Sequence, residues 1–217
     1  MKRKSTLAIV FFMLVTSLAF SQEKPDALKH YFNGRDLDNK GRTSEAANEY
    51  NAAILICLSE LETRPSNMDS YAVYTWSLYR LRKYSETVAV CRQALNIRED
   101  ARIVETMAEA YFYLDNFDEC LKQMQRYIQL APDGDRISVA YFFEAEIYRN
   151  RNHLERAEFL YTVATHLEPS ISLWWYRLGS VREALQLRDG AIDAYNRAIK
   201  IAPNYNDALN GLRRLQR

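Results

Sequence analysis

The sequence predicts an all-α chain, a solenoid of stacked helical hairpins, and three observations lead there. First, a segment is written twice. GAIDAYNRAIKIAP (190–203) and RAEFLYTVATHLEP (156–169) both carry alanine second, tyrosine sixth, alanine ninth and proline last, and Pro169 and Pro203 stand 34 residues apart. Second, Leu, Ala, Tyr, Arg and Glu dominate, with six glycines and five prolines in 217 residues; such a composition favours helix. Third, Ala191, Tyr195 and Ala198 recur at i, i+4 and i+7, which puts them on one helix face. At 48% hydrophobic and 26% charged, the chain fits one globular body of about 200 residues.

A window of 34 residues ending two past Pro203 reads SLWWYRLGSVREALQLRDGAIDAYNRAIKIAPNY (172–205). Trp175, Leu178 and Gly179 fall at its positions 4, 7 and 8, Ala191, Tyr195 and Ala198 at 20, 24 and 27, and Pro203 at 32. Alanines at 20 and 27 let a neighbouring helix approach, the tyrosine fills the space left, and Gly179 thins the first helix opposite it. Pro203 lacks a backbone donor and drives Ala202 out of helical geometry, so the second helix stops there. This pattern resembles the tetratricopeptide repeat (TPR), a 34-residue helix–turn–helix unit. The resemblance implies an α-solenoid of five TPR-like helix–turn–helix repeats with a C-terminal capping helix, spanning about residues 26–217.

Taken in order, residues 1–21 stand apart. A basic start (Lys2, Arg3, Lys4), an apolar run from Leu7 to Phe20 and the small residues Ala19 and Ser21 predict a secretory signal cut near Ser21. The run is short of the roughly 20 apolar residues of a spanning helix; an uncleaved anchor is the alternative, and any membrane link would come through it. The first repeat, 27–60, has Gly34 at 8, Ala46 at 20, Tyr50 at 24 and Ala53 at 27, and its second helix runs on through CLSELE towards a loop holding Pro65. The second, 68–100, is one residue short, with Thr87, Cys91 and Ala94 at 20, 24 and 27 and Glu99 in place of the proline. The third, 101–134, keeps Ala108 and Cys120 but has Met124 and Tyr127 at 24 and 27, so looser packing is expected there. Asp135, Arg136 and Ile137 form an insertion before the fourth, 138–171, which restores Ala145, Ala157, Tyr161 and Ala164. The fifth is 172–205. In 205–216, Ala208, Leu209, Leu212 and Leu215 line one side against Asp207, Arg213 and Arg214, a helix suited to cover the last repeat.

No catalytic constellation can be assembled. His30, His153 and His166 lack metal-ligand spacing, no CxxC pair exists, and GxSxG, GxGxxG and P-loop motifs are missing. Cys57, Cys91 and Cys120 read as small core residues rather than a disulfide framework. Of Glu144 and Glu146, one is expected to be wet and the other to line a groove. The expectation is therefore no enzyme, no metal and no cofactor. Without Lys2, Arg3 and Lys4 the 29 basic residues become 26 against 28 acidic, net −2, which argues against a nucleic-acid binder.

What remains is a surface. The resemblance implies a concave wall lined by first-helix positions 2, 5, 9, 12 and 13. Carried over residue by residue, those are Tyr31, Arg35, Asp38 and Asn39, then Trp76, Tyr79 and Arg80, then Arg102, Glu105, Glu109, Phe112 and Tyr113, then Phe142, Glu146, Arg149 and Asn150, and finally Tyr176, Ser180 and Glu183. Recurrent aromatics with charges of both signs between them suit a protein partner, an extended segment or a helix. The carboxylate clamp of chaperone-binding TPR proteins is not kept: Tyr31, Arg35, Val73, Arg102 and Thr106 occupy its positions, and only Arg102 retains a suitable charge. Trp175 is expected in the core and Trp174 against the preceding repeat. The expected function is a protein-interaction scaffold in a cell envelope, most simply the periplasm. Docking of partners by the convex face or edges in an envelope assembly, or self-association, stand as alternatives.

Overall fold

The structure, a computed structural model, describes residues 26–216; the expected signal segment, 1–21, lies outside them. The described residues form eleven α-helices and no strand. The first helices of the five hairpins are α1 (Ala27–Asn39), α3 (Met68–Arg80), α5 (Ala101–Tyr113), α7 (Ile137–Asn150) and α9 (Ser172–Ala184). The second helices are α2 (Thr43–Thr63), α4 (Tyr84–Ile97), α6 (Phe117–Leu130), α8 (Leu154–Leu167) and α10 (Arg188–Ile201), and α11 (Asn206–Leu215) closes the stack. Each helix packs on the next in the chain, and first helices also touch first helices, α1 on α3, α3 on α5 and α5 on α7. This is the near-neighbour stacking of a solenoid.

One turn is used five times within the hairpins. Gly41, Arg82, Asp115, Asn152 and Gln186, the same position of each repeat, take the left-handed conformation with φ of 73°, 59°, 56°, 60° and 60°. The residue after each donates its N–H to the carbonyl five back: Arg42 to Leu37, Lys83 to Leu78, Asn116 to Tyr111, His153 to Tyr148 and Leu187 to Arg182, all at 2.9–3.0 Å. These bonds satisfy carbonyls that the end of the first helix leaves open, the Schellman arrangement. Second helices end as the prolines dictate. Ala202, before Pro203, leaves helical geometry at φ −129°, ψ 91°. Where Glu99 replaces proline, α4 still stops, because Asp100 accepts from the Arg102 N–H at 3.0 Å and starts α5.

The core runs between hairpins. Ala46, Tyr50, Ala53 and Cys57 of α2 meet α1 and α3; a large central cluster joins α3 to α7; a third joins α7 to α11. Met124 and Tyr127 are fully part of the central cluster, so the looser packing expected of the third repeat is not found: methionine has the rotatable bonds to fill the space tyrosine takes elsewhere. The three cysteines are buried and free. Glu144 and Glu146 are both buried, so neither is the wet residue expected. Glu146 is held by Arg177 at 3.1 Å, by Arg149 at 3.0 Å and by the Tyr161 hydroxyl. Glu144 has an oxygen without a hydrogen-bond partner, and burial pushes its carboxyl up to about 7 despite Arg156 nearby.

Of the insertion, Ile137 is the first residue of α7, which leaves Asp135 and Arg136 outside helix. The loop is tied down: the Gly134 N–H donates to the Ala131 carbonyl at 3.0 Å and the Arg136 N–H to the Tyr127 hydroxyl at 3.2 Å. Trp174 stacks on Phe142 of the preceding repeat at 5.0 Å and 14°. Trp175 is buried and donates its indole N–H to the Pro169 carbonyl at 2.9 Å.

Candidate partner-binding groove

The inner wall of the first three repeats encloses a cavity of about 520 Å³. Helix α1 contributes Tyr31, Phe32 and Arg35, α3 contributes Trp76, Tyr79 and Arg80, and α5 contributes Ala101, Arg102, Glu105, Thr106 and Glu109. The α6–α7 segment closes the far end with Tyr127, Ala131, Gly134, Asp135 and Arg136. A second hollow of about 480 Å³ adjoins it and shares Trp76 and Arg102, with Leu28, Asp69 and Val73 among its lining. The shared residues make the two hollows parts of one trough.

Helix periodicity explains the lining. Glu105 and Glu109, at i and i+4, lie one above the other on α5, as do Trp76 and Arg80 on α3. The apolar floor is Tyr31 against Trp76, ring centroids 5.4 Å apart. Beside it, Arg102 is engaged by Asp100 at 2.7 Å and Asp69 at 2.9 Å. Arg136 reaches back from the loop to Glu105 at 2.8 Å and to Glu109. Two carboxylates this close and this buried cannot both ionise freely. Burial and the Glu109 charge push the Glu105 carboxyl well above its usual range. Burial also acts on Glu109, but hydrogen bonds from Glu105 and Tyr79 and the charge of Arg136 outweigh it and hold Glu109 low. The two carboxyls are thus driven apart, Glu105 up and Glu109 down, with the loop arginine as their common cation. Arg35 and Arg80 make no ion pair among the described residues; the Arg35 guanidinium lies 5.7 Å from the Phe32 ring centre.

Of the residues expected on the concave wall, Tyr31, Arg35, Trp76, Tyr79, Arg80, Arg102, Glu105 and Glu109 are brought together in the cavity. The others are not among its lining. Asn39 and Asn150 sit exposed at the ends of α1 and α7. Phe112 packs on Phe143 at 4.9 Å, and Tyr113 stacks on Tyr84 at 4.8 Å. Phe142 is covered by Trp174, and Tyr176 lies between Tyr195 and Tyr205. Glu146 and Arg149 hold the Tyr161 hydroxyl, and Glu183 accepts from the Tyr195 hydroxyl at 2.5 Å while paired with Arg214 at 2.8 Å. In the last two repeats Glu146, Arg149 and Glu183 are thus occupied by the repeat's own tyrosines. The repeat pattern could not point to Arg136 or Asp135, because they lie in the insertion that breaks it; the break in phase was the only signal.

Among the described residues no cluster of three or more His, Cys, Asp or Glu could hold a metal ion, and no helix is long and apolar enough to cross a membrane.

Comparison with known proteins agrees with the fold. Residues 175–205 match the tetratricopeptide repeat family. Comparison of the sequence with curated proteins gives no match. Among solved structures, the chain is similar to YrrB, described as a TPR protein with an unusual peptide-binding site, at TM-score 0.58 and 20% identity over 88% of this chain and 94% of that one. It is also similar to MamA, at TM-score 0.61 and 17% identity over 77% and 93%, and to MamA from Desulfovibrio magneticus RS-1, at TM-score 0.58 and 15% identity over 84% and 99%. At such identities the likeness is one of fold. The chain is an α-solenoid of the tetratricopeptide-repeat fold, and in residues 175–205 it matches that family in sequence as well.

Proposed function

We propose that this protein is a non-enzymatic interaction scaffold that seats a segment of another protein in the trough of its first three repeats. The observation that carries the reading is the composition of that trough. An aromatic floor of Tyr31, Trp76 and Tyr79 lies beside Arg35 and Arg80, two cations without an ion pair among the described residues. Aromatic and arginine side chains in a concave, partly dry setting are the residues that dominate binding energy at interfaces. The fold likeness to a TPR protein described with a peptide-binding site supports the class of ligand. The basic start (Lys2, Arg3, Lys4) and the apolar run from Leu7 to Phe20 support a reading in which the scaffold is exported and works in a cell envelope, most simply the periplasm.

The test is capture from envelope extracts by the wild type and by a Trp76→Ala/Arg80→Ala variant, with helix content and melting point followed in parallel. A partner retained by the wild type and lost by a folded variant supports the trough. Equal retention by both points to another surface. The exposed apolar side chains Leu55 and Phe159 on second helices, 68% and 63% accessible, are the observation that favours that second reading.

A further inference from the structure

We infer that the segment seated in the trough is acidic: an aspartate or glutamate side chain of the partner bridges Arg35 and Arg80 while a neighbouring apolar side chain lies on Tyr31 and Trp76. This deepens the proposed function and rests on it. The inference comes from the charges lining the cavity. Arg102 is taken by Asp69 and Asp100. Glu105 and Glu109 are taken by Arg136. Arg35 on α1 and Arg80 on α3 have no carboxylate within ion-pair distance among the described residues, and both are exposed. Asp135, the remaining acid of the lining, belongs to the α6–α7 loop at the other end. Around Arg35 and Arg80 the first cavity therefore presents positive charge without an ion pair, whereas the adjoining hollow carries Asp26, Glu60 and Asp69, of which Glu60 pairs with Arg64 and Asp69 with Arg102.

Guanidinium groups are the better donors for this purpose, because their planar fork meets a carboxylate through two parallel hydrogen bonds. Arg35 rests near the face of Phe32, so less of its freedom is lost on binding. The acid is assigned to a side chain rather than a chain terminus because the cavity does not end at the arginines but runs on past Trp76 to Arg102. The adjoining hollow shares Trp76 and Arg102 and gives a strand room to continue past them.

Peptides of random sequence, displayed with their C-termini tethered, test the inference. They are selected in parallel on the purified wild type, on an Arg35→Glu/Arg80→Glu variant and on Trp76→Ala, with circular dichroism as the check on folding. The wild type is expected to enrich peptides with an Asp or Glu beside an aromatic residue or leucine. The best of these, synthesised with an amidated terminus, should weaken about tenfold or more when the acid becomes its amide, and equally on the charge-reversed variant. Selection of neutral or basic peptides by the wild type, no enrichment over an unrelated helical protein, or undiminished binding of acidic peptides to the charge-reversed variant would overturn it. Peptides without acids that are nevertheless lost on Trp76→Ala would leave the trough standing and remove only its preference for acid. Peptides indifferent to all three substitutions would remove the trough as well.

Discussion

Single residues carry two kinds of strain in this protein, and each gives a measurable consequence. The left-handed turn position holds glycine only in the first repeat; Arg82, Asp115, Asn152 and Gln186 hold it with a Cβ. Asparagine and aspartate adopt that conformation most readily of the four, arginine and glutamine less so. Gln186 is exposed, so Gln186→Gly should stabilise the chain by about 0.5–1 kcal/mol, seen as a higher urea midpoint at unchanged slope, and Asn152→Gly by less. The second strain is electrostatic. The Glu144 carboxyl is raised from 4.5 to about 7 by burial, so the folded state holds its proton to higher pH than the unfolded state does. Its contribution is intact below about pH 4.5 and is lost as pH rises to and past 7, a change on the order of 3 kcal/mol. Stability measured from pH 5 to 8 should fall less in Glu144→Gln than in the wild type; an identical slope would mean that the Glu144 carboxyl ionises as freely as in water. Neither feature is readable from the repeat pattern. The turn position tolerates any residue at modest cost, and a glutamate in a helix declares nothing about what covers it.

At the scale of helices, much was legible and the remainder has a common cause. The hairpins, their order and the cap follow from alanine, tyrosine and proline at fixed steps, because those residues act through their own helix and its immediate neighbour. A further rule lay in the sequence but needed the geometry to be seen. Where the second helix offers a tyrosine hydroxyl, the first helix answers with a polar residue: Asp38 with Tyr50 at 2.6 Å, Arg149 with Tyr161 at 3.3 Å and Glu183 with Tyr195 at 2.5 Å. Where the second helix has Cys91 or Met124 instead, the same first-helix position is the aromatic Tyr79 or Phe112. That rule explains why Glu183 and Arg149 serve the core while Tyr79 faces the trough. The tyrosines also set the glycines. A Cβ on Gly211 of the cap would stand 2.5 Å from the Tyr195 ring, and one on Gly179 2.7 Å from it. Gly211→Ala should therefore destabilise by about 1–3 kcal/mol through overpacking, more than the roughly 1 kcal/mol of helix propensity it gains; thermal melts decide the sign. The α6–α7 loop was not legible. Its contact with Glu105 and Glu109 joins residues 31 and 27 apart in sequence, and no spacing rule spans an insertion. Arg136→Ala leaves two buried carboxyls without their cation, and a loss of about 1–3 kcal/mol is expected, largely recovered in an Arg136→Ala/Glu105→Gln/Glu109→Gln variant.

Across the whole molecule the two ends of the stack do different work. Repeats four and five spend Glu146, Arg149 and Glu183 on their own tyrosines, and Glu183 also on the cap. Repeats one to three leave an aromatic trough in which Arg35 and Arg80 have no ion pair among the described residues, Arg80 being hydrogen-bonded to Tyr31, with a loop arginine closing the far end. The division is one of charge as well as shape, so binding through the trough should weaken as salt is raised, whereas contact through Leu55 or Phe159 should not. The most direct measurement places a photo-crosslinking benzoylphenylalanine at position 32, where the exposed Phe32 lines the trough, in one variant and at position 159 in another, in the cells that make the protein. The account predicts a single partner crosslinked from position 32, absent from position 159 and displaced by an acidic peptide selected on the wild type. The same partner crosslinked from position 159 and not from position 32 would contradict it.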